Sequence, residues 1–144
     1  MSDFHVAVGA ATSFSKTVTE TDVYMFAGIT GDFAPNHVNK AYMEKSKYGR
    51  LIAHGALLVG YMSTASTQAA YGTLASDKET AVSLGYDRVR FLAPVFFGDT
   101  ITVDYRIATV DPERRRATAD IRITNQDGTL VAVATHVLKW VRND

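Results

Sequence analysis

The sequence contains no cysteine. Disulfides, cysteine-ligated metal sites and a cysteine nucleophile are excluded with it. Net charge is missing too, since 15 Lys and Arg balance 15 Asp and Glu. A neutral chain offers no electrostatic footprint for nucleic acid or an anionic membrane surface. No internal repeat, low-complexity tract or linker interrupts the 144 residues. Residues 1–144 therefore read as a single domain, large enough to bury a core. The opening stretch, MSDFHVAVGAATSFSK, has no basic segment followed by an apolar run. A secretory signal is not expected, and cytoplasm is the expected location.

Charge also disappears locally. Between Arg50 and Asp77 runs LIAHGALLVGYMSTASTQAAYGTLAS, without a single charged residue. Ala, Leu and Met favour helix, and Gly72 is a natural stop, so a long helix is expected over about 55–72. With no charged face, it should be buried on most sides. A membrane span would need about 20 mostly apolar residues. Here His54, Ser63, Thr64, Ser66, Thr67 and Gln68 interrupt the run, and no cluster of Trp or basic anchors closes its C-terminal end. A sheet wrapped around the helix is the expected environment.

The rest of the chain supplies that sheet. Thr12 to Val18 reads as a first strand after a loose lead-in over 1–11. Thr19 or Thr21 can cap a helix that Gly31 ends. DFAPNHVN, 32–39, reads as a turn-rich connector, because Pro35 biases Ala34 away from helix. A short helix follows over about 39–46. From 81 the period changes. Residues 81–91 read as a strand with a possible bulge at Gly85. Residues 100–110 alternate through Ile101, Val103, Tyr105 and Ile107, and 117–124 through Ala117, Ala119, Ile121 and Ile123. Gln126-Asp127-Gly128 is a hairpin signal. Residues 129–141 are apolar on both faces, as in a central strand. The expected class is α+β, with a curved antiparallel sheet of about five strands around one central helix. The basic run Arg114-Arg115-Arg116 reads as a solvated turn rather than a ligand site.

Three places can carry chemistry. Asp32 and His37 stand five residues apart across a proline-containing turn, where a carboxylate and an imidazole could share one water as an acid/base pair. On spacing alone the blander account, a turn-capping Asp and a surface His, carries more weight. His54-Gly55 opens the long helix, whose first N–H groups have no intrahelical partner and carry the positive end of the dipole. A side-chain-free Gly55 would let a ligand oxygen reach its N–H, forming an oxyanion site. An ordinary helix start with a buried, hydrogen-bonded His54 fits that dipeptide equally well. Ser63 lies about two turns further along and could touch the same ligand, although an isolated helix serine is more often a packing residue. No G-x-S-x-G surrounds it, which disfavours a serine hydrolase. His5 and His136 have no visible partner, and His136 reads as structural. No cluster shows metal-ligand spacing, so no metal is expected.

Taken together, FAGITGDFAPNHVN, GRLIAHGALLVGYMS and RVRFLAPVFFGDTI resemble the MaoC-like hydratases, the (R)-specific enoyl-CoA hydratases with a hot-dog fold. The resemblance covers nearly the whole chain. It implies that Asp32 and His37 are the catalytic pair. It implies that the Gly55 N–H binds the thioester oxygen, with His54 beside it in the same substrate-binding set, and that Ser63 lines the pocket. It further implies a homodimer or higher homo-oligomer joined at sheet edges, an acyl-CoA or acyl-carrier-protein thioester as substrate, and no cofactor. Two positions depart from the family's habit. Ala34 stands where D-F-N-P has Asn, and Asn36 precedes the histidine where an aliphatic residue is common.

The implied reaction is reversible syn hydration of a trans-2-enoyl thioester to a (3R)-3-hydroxyacyl thioester. In it Asp32 acts as base while His37 orients the water and relays a proton towards the α-carbon. Two alternatives stay open. One is a hot-dog acyl-CoA thioesterase, against which the lack of Asp or Glu over 51–76 counts. The other is a non-catalytic acyl-thioester-binding subunit.

Overall fold

The computed structural model describes residues 3–144. After a lead-in comes β1 (Ala11–Thr17), then α1 (Glu20–Thr30), α2 (Pro35–Val38), α3 (Lys40–Glu44) and α4 (Gly55–Gln68). A π-helical turn, Ala69–Thr73, extends α4. Four strands complete the chain: β2 (Glu79–Phe91), β3 (Thr100–Asp111), β4 (Arg116–Thr124) and β5 (Leu130–Arg142). All pairings are antiparallel, in the spatial order β1-β3-β4-β5-β2. No helix among the described residues is long and apolar enough to cross a membrane.

The alternation read in the sequence sets the buried face. Ile101, Val103, Tyr105 and Ile107 of β3 are buried, as are Ala117, Ala119, Ile121 and Ile123 of β4. They pack in one core with Leu58, Tyr61, Met62 and Ala65 of α4 and with Trp140 of β5. Each large side chain removed from water here contributes about 1.5–3 kcal/mol. β5 lies between β4 and β2, which accounts for a strand apolar on both faces. Gly85 has φ 137° and marks a shift of register between β2 and β5, so the expected bulge is present.

Several local expectations need correction. Residues 32–39 are not all turn, because Pro35 starts the single helical turn of α2, where its missing N–H costs nothing. Gly72 is not the left-handed stop of the central helix. It lies inside the π-helical turn, and positive φ falls on other glycines. The helix is not buried on most sides within one chain. Ala56, Gly60, Ser63, Thr67 and Gln68 remain exposed.

Nor is the lead-in loose over its described residues, 3–10; residues 1 and 2 lie outside them. Val6 is buried, and the Gly9 N–H donates to the Ile107 carbonyl at 2.8 Å. Arg115 is not a solvated turn residue. It is half-buried with φ 52°, donates to the buried Glu79 carboxylate and to Asp3, and lies over the Phe4 ring.

Candidate active site

The site begins where α1 ends. Thr19 caps α1 through a reciprocal capping box with Asp22. At the other end Gly31 adopts φ 79° and returns its N–H to the Ala27 carbonyl at 2.8 Å. A left-handed residue there turns the chain sharply, and glycine takes it without a Cβ penalty. Asp32 therefore emerges just past the helix, exposed, with its Oδ1 accepting from the Ala34 N–H at 3.3 Å. Pro35 then starts α2, and its one turn carries His37 inward to a buried position.

The segment before α4 is held from two sides. The Ile52 N–H donates to the Asn36 carbonyl at 3.1 Å, and the Ala53 N–H to the Val95 carbonyl at 2.8 Å. These bonds place His54 and Gly55 beside His37. One nitrogen of His37, one of His54 and a carboxylate oxygen of Asp32 all lie within 4.8 Å of one another. The pair read from five-residue spacing thus converges. The His37 ring donates from Nδ1 to the Ile52 carbonyl at 2.7 Å. In the neutral ring this leaves Nε2 bare and able to accept a proton. Burial pushes the His37 imidazole below the usual histidine range, and the neighbouring His54 adds to that push. The Ile52 carbonyl and Asp32 act in the opposite direction.

Gly55 is the first residue of α4, and among the described residues its N–H has no hydrogen-bond partner. His37 and Gly55 line one open cleft of about 360 Å³, together with Asn36, Tyr48, Leu58 and Phe91 among others. Ser63 does not line it. It lies exposed further along α4, with its hydroxyl against the Tyr86 phenol. His54 is buried, and its Nε2 donates to the Asp32 carbonyl at 2.9 Å. His136 bonds Ser83 and Tyr105 at 2.8 Å each and stacks on Tyr86, away from this cleft.

Two histidines and one carboxylate in this proximity could in principle hold a metal ion. Each histidine also gives its other N–H to a backbone carbonyl, as metal ligands do. The ring geometry argues otherwise. The two rings are stacked, with centroids 3.7 Å apart and planes only 26° from parallel. In-plane lone pairs of stacked rings run side by side and do not meet at one ion. The arrangement suits proton transfer through His37 and Asp32.

Sequence reasoning named Asp32, His37 and the helix start, which lie together in the structure. It missed Phe91 and Tyr48 as cleft walls, although Phe91 opens the F-L-x-P-V segment that carried part of the resemblance. It offered no sign that His54 would bond the backbone of Asp32, a contact between residues 22 apart in the chain.

Residues 4–129 match the family described as MaoC like domain. The chain is 35% identical over 111 residues to an (R)-specific enoyl-CoA hydratase of Rhodospirillum rubrum, covering 76% of this chain and 72% of that protein. It is 30% identical over 139 residues to an (R)-specific enoyl-CoA hydratase of Aeromonas caviae, covering 96% and 98%. The fold is similar to the solved structure of the (R)-hydratase from A. caviae involved in PHA biosynthesis. The TM-score is 0.83 at 28% identity, over 93% of this chain and 96% of that one. The architecture is the hot-dog fold, with the five-stranded sheet as wrapping and α4 as filling, and the chain belongs to the MaoC-like domain family.

Proposed function

We infer that this hydro-lyase adds water reversibly to a trans-2-enoyl-CoA, giving the (3R)-3-hydroxyacyl-CoA. The observation that carries the reading is the convergence of the Asp32 carboxylate and the His37 imidazole beside a helix N-terminus with a free N–H. The named activities of the relatives support the same chemistry.

The steps follow from the available atoms. The Asp32 carboxylate and the bare Nε2 of His37 are both acceptors, so they hold one water by its two hydrogens. Its oxygen lone pair is then free to attack the β-carbon. As that bond forms, a water proton passes to the pair, with Asp32 as the base, and electron density moves through the α-carbon to the thioester oxygen. The Gly55 N–H and the α4 dipole stabilise this enolate, where one well-aimed donor lowers the barrier by about 3–4 kcal/mol. The proton returns through His37 to the α-carbon from the same face, so addition is syn. Reversal of these steps is dehydration.

Asn36 borders the same cleft. With Ala34 lacking the family's amide at its own position, Asn36 is the amide available to the substrate or the water. The absence of Asp or Glu from α4 removes the carboxylate that a thioesterase would carry there.

A second copy of the chain completes the particle in this reading. β2 is an edge strand, paired only to β5. Leu84 and Phe91 on it and Leu92 just beyond it are exposed, as is Tyr71 at the end of the central helix. An unpaired, partly apolar edge calls for a cover, and pairing β2 with β2 of another copy provides one. The expected location remains cytoplasmic.

Loss of enoyl-thioester absorbance in the presence of purified protein, followed by chiral analysis of the hydroxyacyl product, tests the reaction. Formation of the (3R) product supports it. Release of free thiol without hydration would replace it with the thioesterase.

A further inference from the structure

The uncharged stretch before and into α4 was expected to contribute a ligand contact through His54. The geometry gives that side chain a different task. His54 precedes Gly55 as the N-cap residue of α4, is 2% exposed, and does not line the cleft. It meets both members of the acid/base pair from behind. Its Nε2–H holds the backbone carbonyl of Asp32 at 2.9 Å, and its ring lies flat against His37 with centroids 3.7 Å apart. The Phe26 ring of α1 closes the far side at 4.7 Å.

Among the described residues, Asp32 has no other tie to the start of α4. Asp32 sits in an exposed turn, and its remaining hydrogen bonds, to Thr30 and Ala34, are local and long at 3.3 Å. His37 is on a helix of one turn, tied to the chain ahead of α4 through Ile52, whose carbonyl accepts from its ring and whose N–H donates to the Asn36 carbonyl, and its ring face rests on His54. We propose that His54 is the positioning residue of the site, a single buried ring that locks the Asp32 backbone and the His37 imidazole to the helix start that carries the Gly55 N–H. Water-activating groups and oxyanion donor are thereby kept in one rigid unit. This rests on the hydratase reading of the site.

The neutral ring that donates from Nε2 has a bare Nδ1, and among the described residues that atom is buried without a partner. The ring thus contributes two contacts to the pair, its stacking on His37 and its single N–H on the Asp32 carbonyl. The groups that face His37 are Asp32 from the turn after α1 and His54 from the start of α4, and they act on its charged form in opposite directions.

His54→Phe keeps the flat ring and loses the donor. His54→Gln keeps a donor at a similar reach and loses the ring. Misplacement of a catalytic group by about 1 Å costs roughly 100-fold in rate. His54→Phe should therefore lower kcat by about that factor with KM within about 3-fold, and His54→Gln should recover part of the loss. The His37 ring titration, followed by NMR in the intact protein, should shift in both variants, because the ring stacked on the imidazole is replaced. A rise in KM with kcat unchanged would make His54 a substrate contact and overturn the proposal. An unmoved His37 titration together with wild-type kcat in His54→Phe would overturn it equally. If the wild type hydrates no enoyl-CoA, the reaction reading fails, while the NMR titration still decides whether His54 governs His37.

Discussion

The ring of Phe91 fills the space that a side chain on residue 55 would occupy. A Cβ at Gly55 would meet three of its ring carbons at 2.6–2.8 Å. Glycine leaves room for a wall of the cleft, besides any need of a ligand to approach the N–H. Gly55→Ala must push the Phe91 ring aside; that ring is 52% exposed, so the loss should fall at or below the low end of the about 1–3 kcal/mol that overpacking costs in a closed core. Urea titration should show that loss, with turnover reduced because the methyl and the displaced ring crowd the oxyanion donor. Adding Phe91→Ala should return most of the stability. A Gly55→Ala protein as stable and as active as the wild type would contradict this packing.

The pH dependence of turnover should report the buried position of His37. In the proposed role of proton acceptor it must be neutral, and burial holds its value below the ordinary 6.5. The acid limb of kcat/KM is therefore expected below pH 6.5. An acid limb above that value would show that the imidazolium is favoured in the free enzyme, contrary to the desolvation seen here.

His136 makes a prediction about stability and not about activity. Burial pushes it down to about 4 from 6.5. As pH falls below 6.5 the unfolded chain takes up the proton first, so stability is complete above 6.5 and is lost towards pH 4. Between pH 8 and pH 5 this one group should cost about 2 kcal/mol. Denaturant midpoints of wild type and His136→Gln at the two pH values should differ in slope, the variant being flatter. Parallel pH dependences would remove His136 from the account.

Arg114 and Arg115 separate a solvated turn from a structural anchor. Arg114 is exposed and pairs only with its neighbour Asp111. Arg115 joins the turn to Glu79 at the start of β2 and to Asp3 in the lead-in. Arg115→Ala strands a buried carboxylate, so it should lower the thermal midpoint clearly more than Arg114→Ala. Equal effects would return Arg115 to the solvated turn that sequence alone suggested.

How much was legible in the sequence follows from the range of each interaction. The strands of the sheet were visible because burial on one face writes a period of two, as in Ile101, Val103, Tyr105 and Ile107. The cap of α1, narrowed to Thr19 or Thr21, and its stop at Gly31 were visible because caps are local. The fate of Gly72 was not, because the π-helical turn around it depends on packing of Ala69, Ala70 and Leu74 against the rest of the chain. Arg115 was misread for the same reason, since its partners lie 36 and 112 residues away. In the site, Asp32, His37 and Gly55 were singled out by the family resemblance, since their spacing alone favoured a capping Asp and a surface His. The link that joins them, from His54 to the Asp32 carbonyl, is made to backbone and leaves no residue-type signal at its acceptor.

The central claim is that Asp32 and His37 together activate water for an enoyl thioester. Its most direct test is the decay of enoyl absorbance when purified protein meets crotonyl-CoA, with Asp32→Asn measured in parallel. The substitution leaves the Asp32 carbonyl free to accept from His54, so circular dichroism and thermal midpoint should remain those of the wild type. The account predicts hydration by the wild type and near-complete loss in Asp32→Asn. Appreciable turnover in a folded Asp32→Asn protein would contradict it.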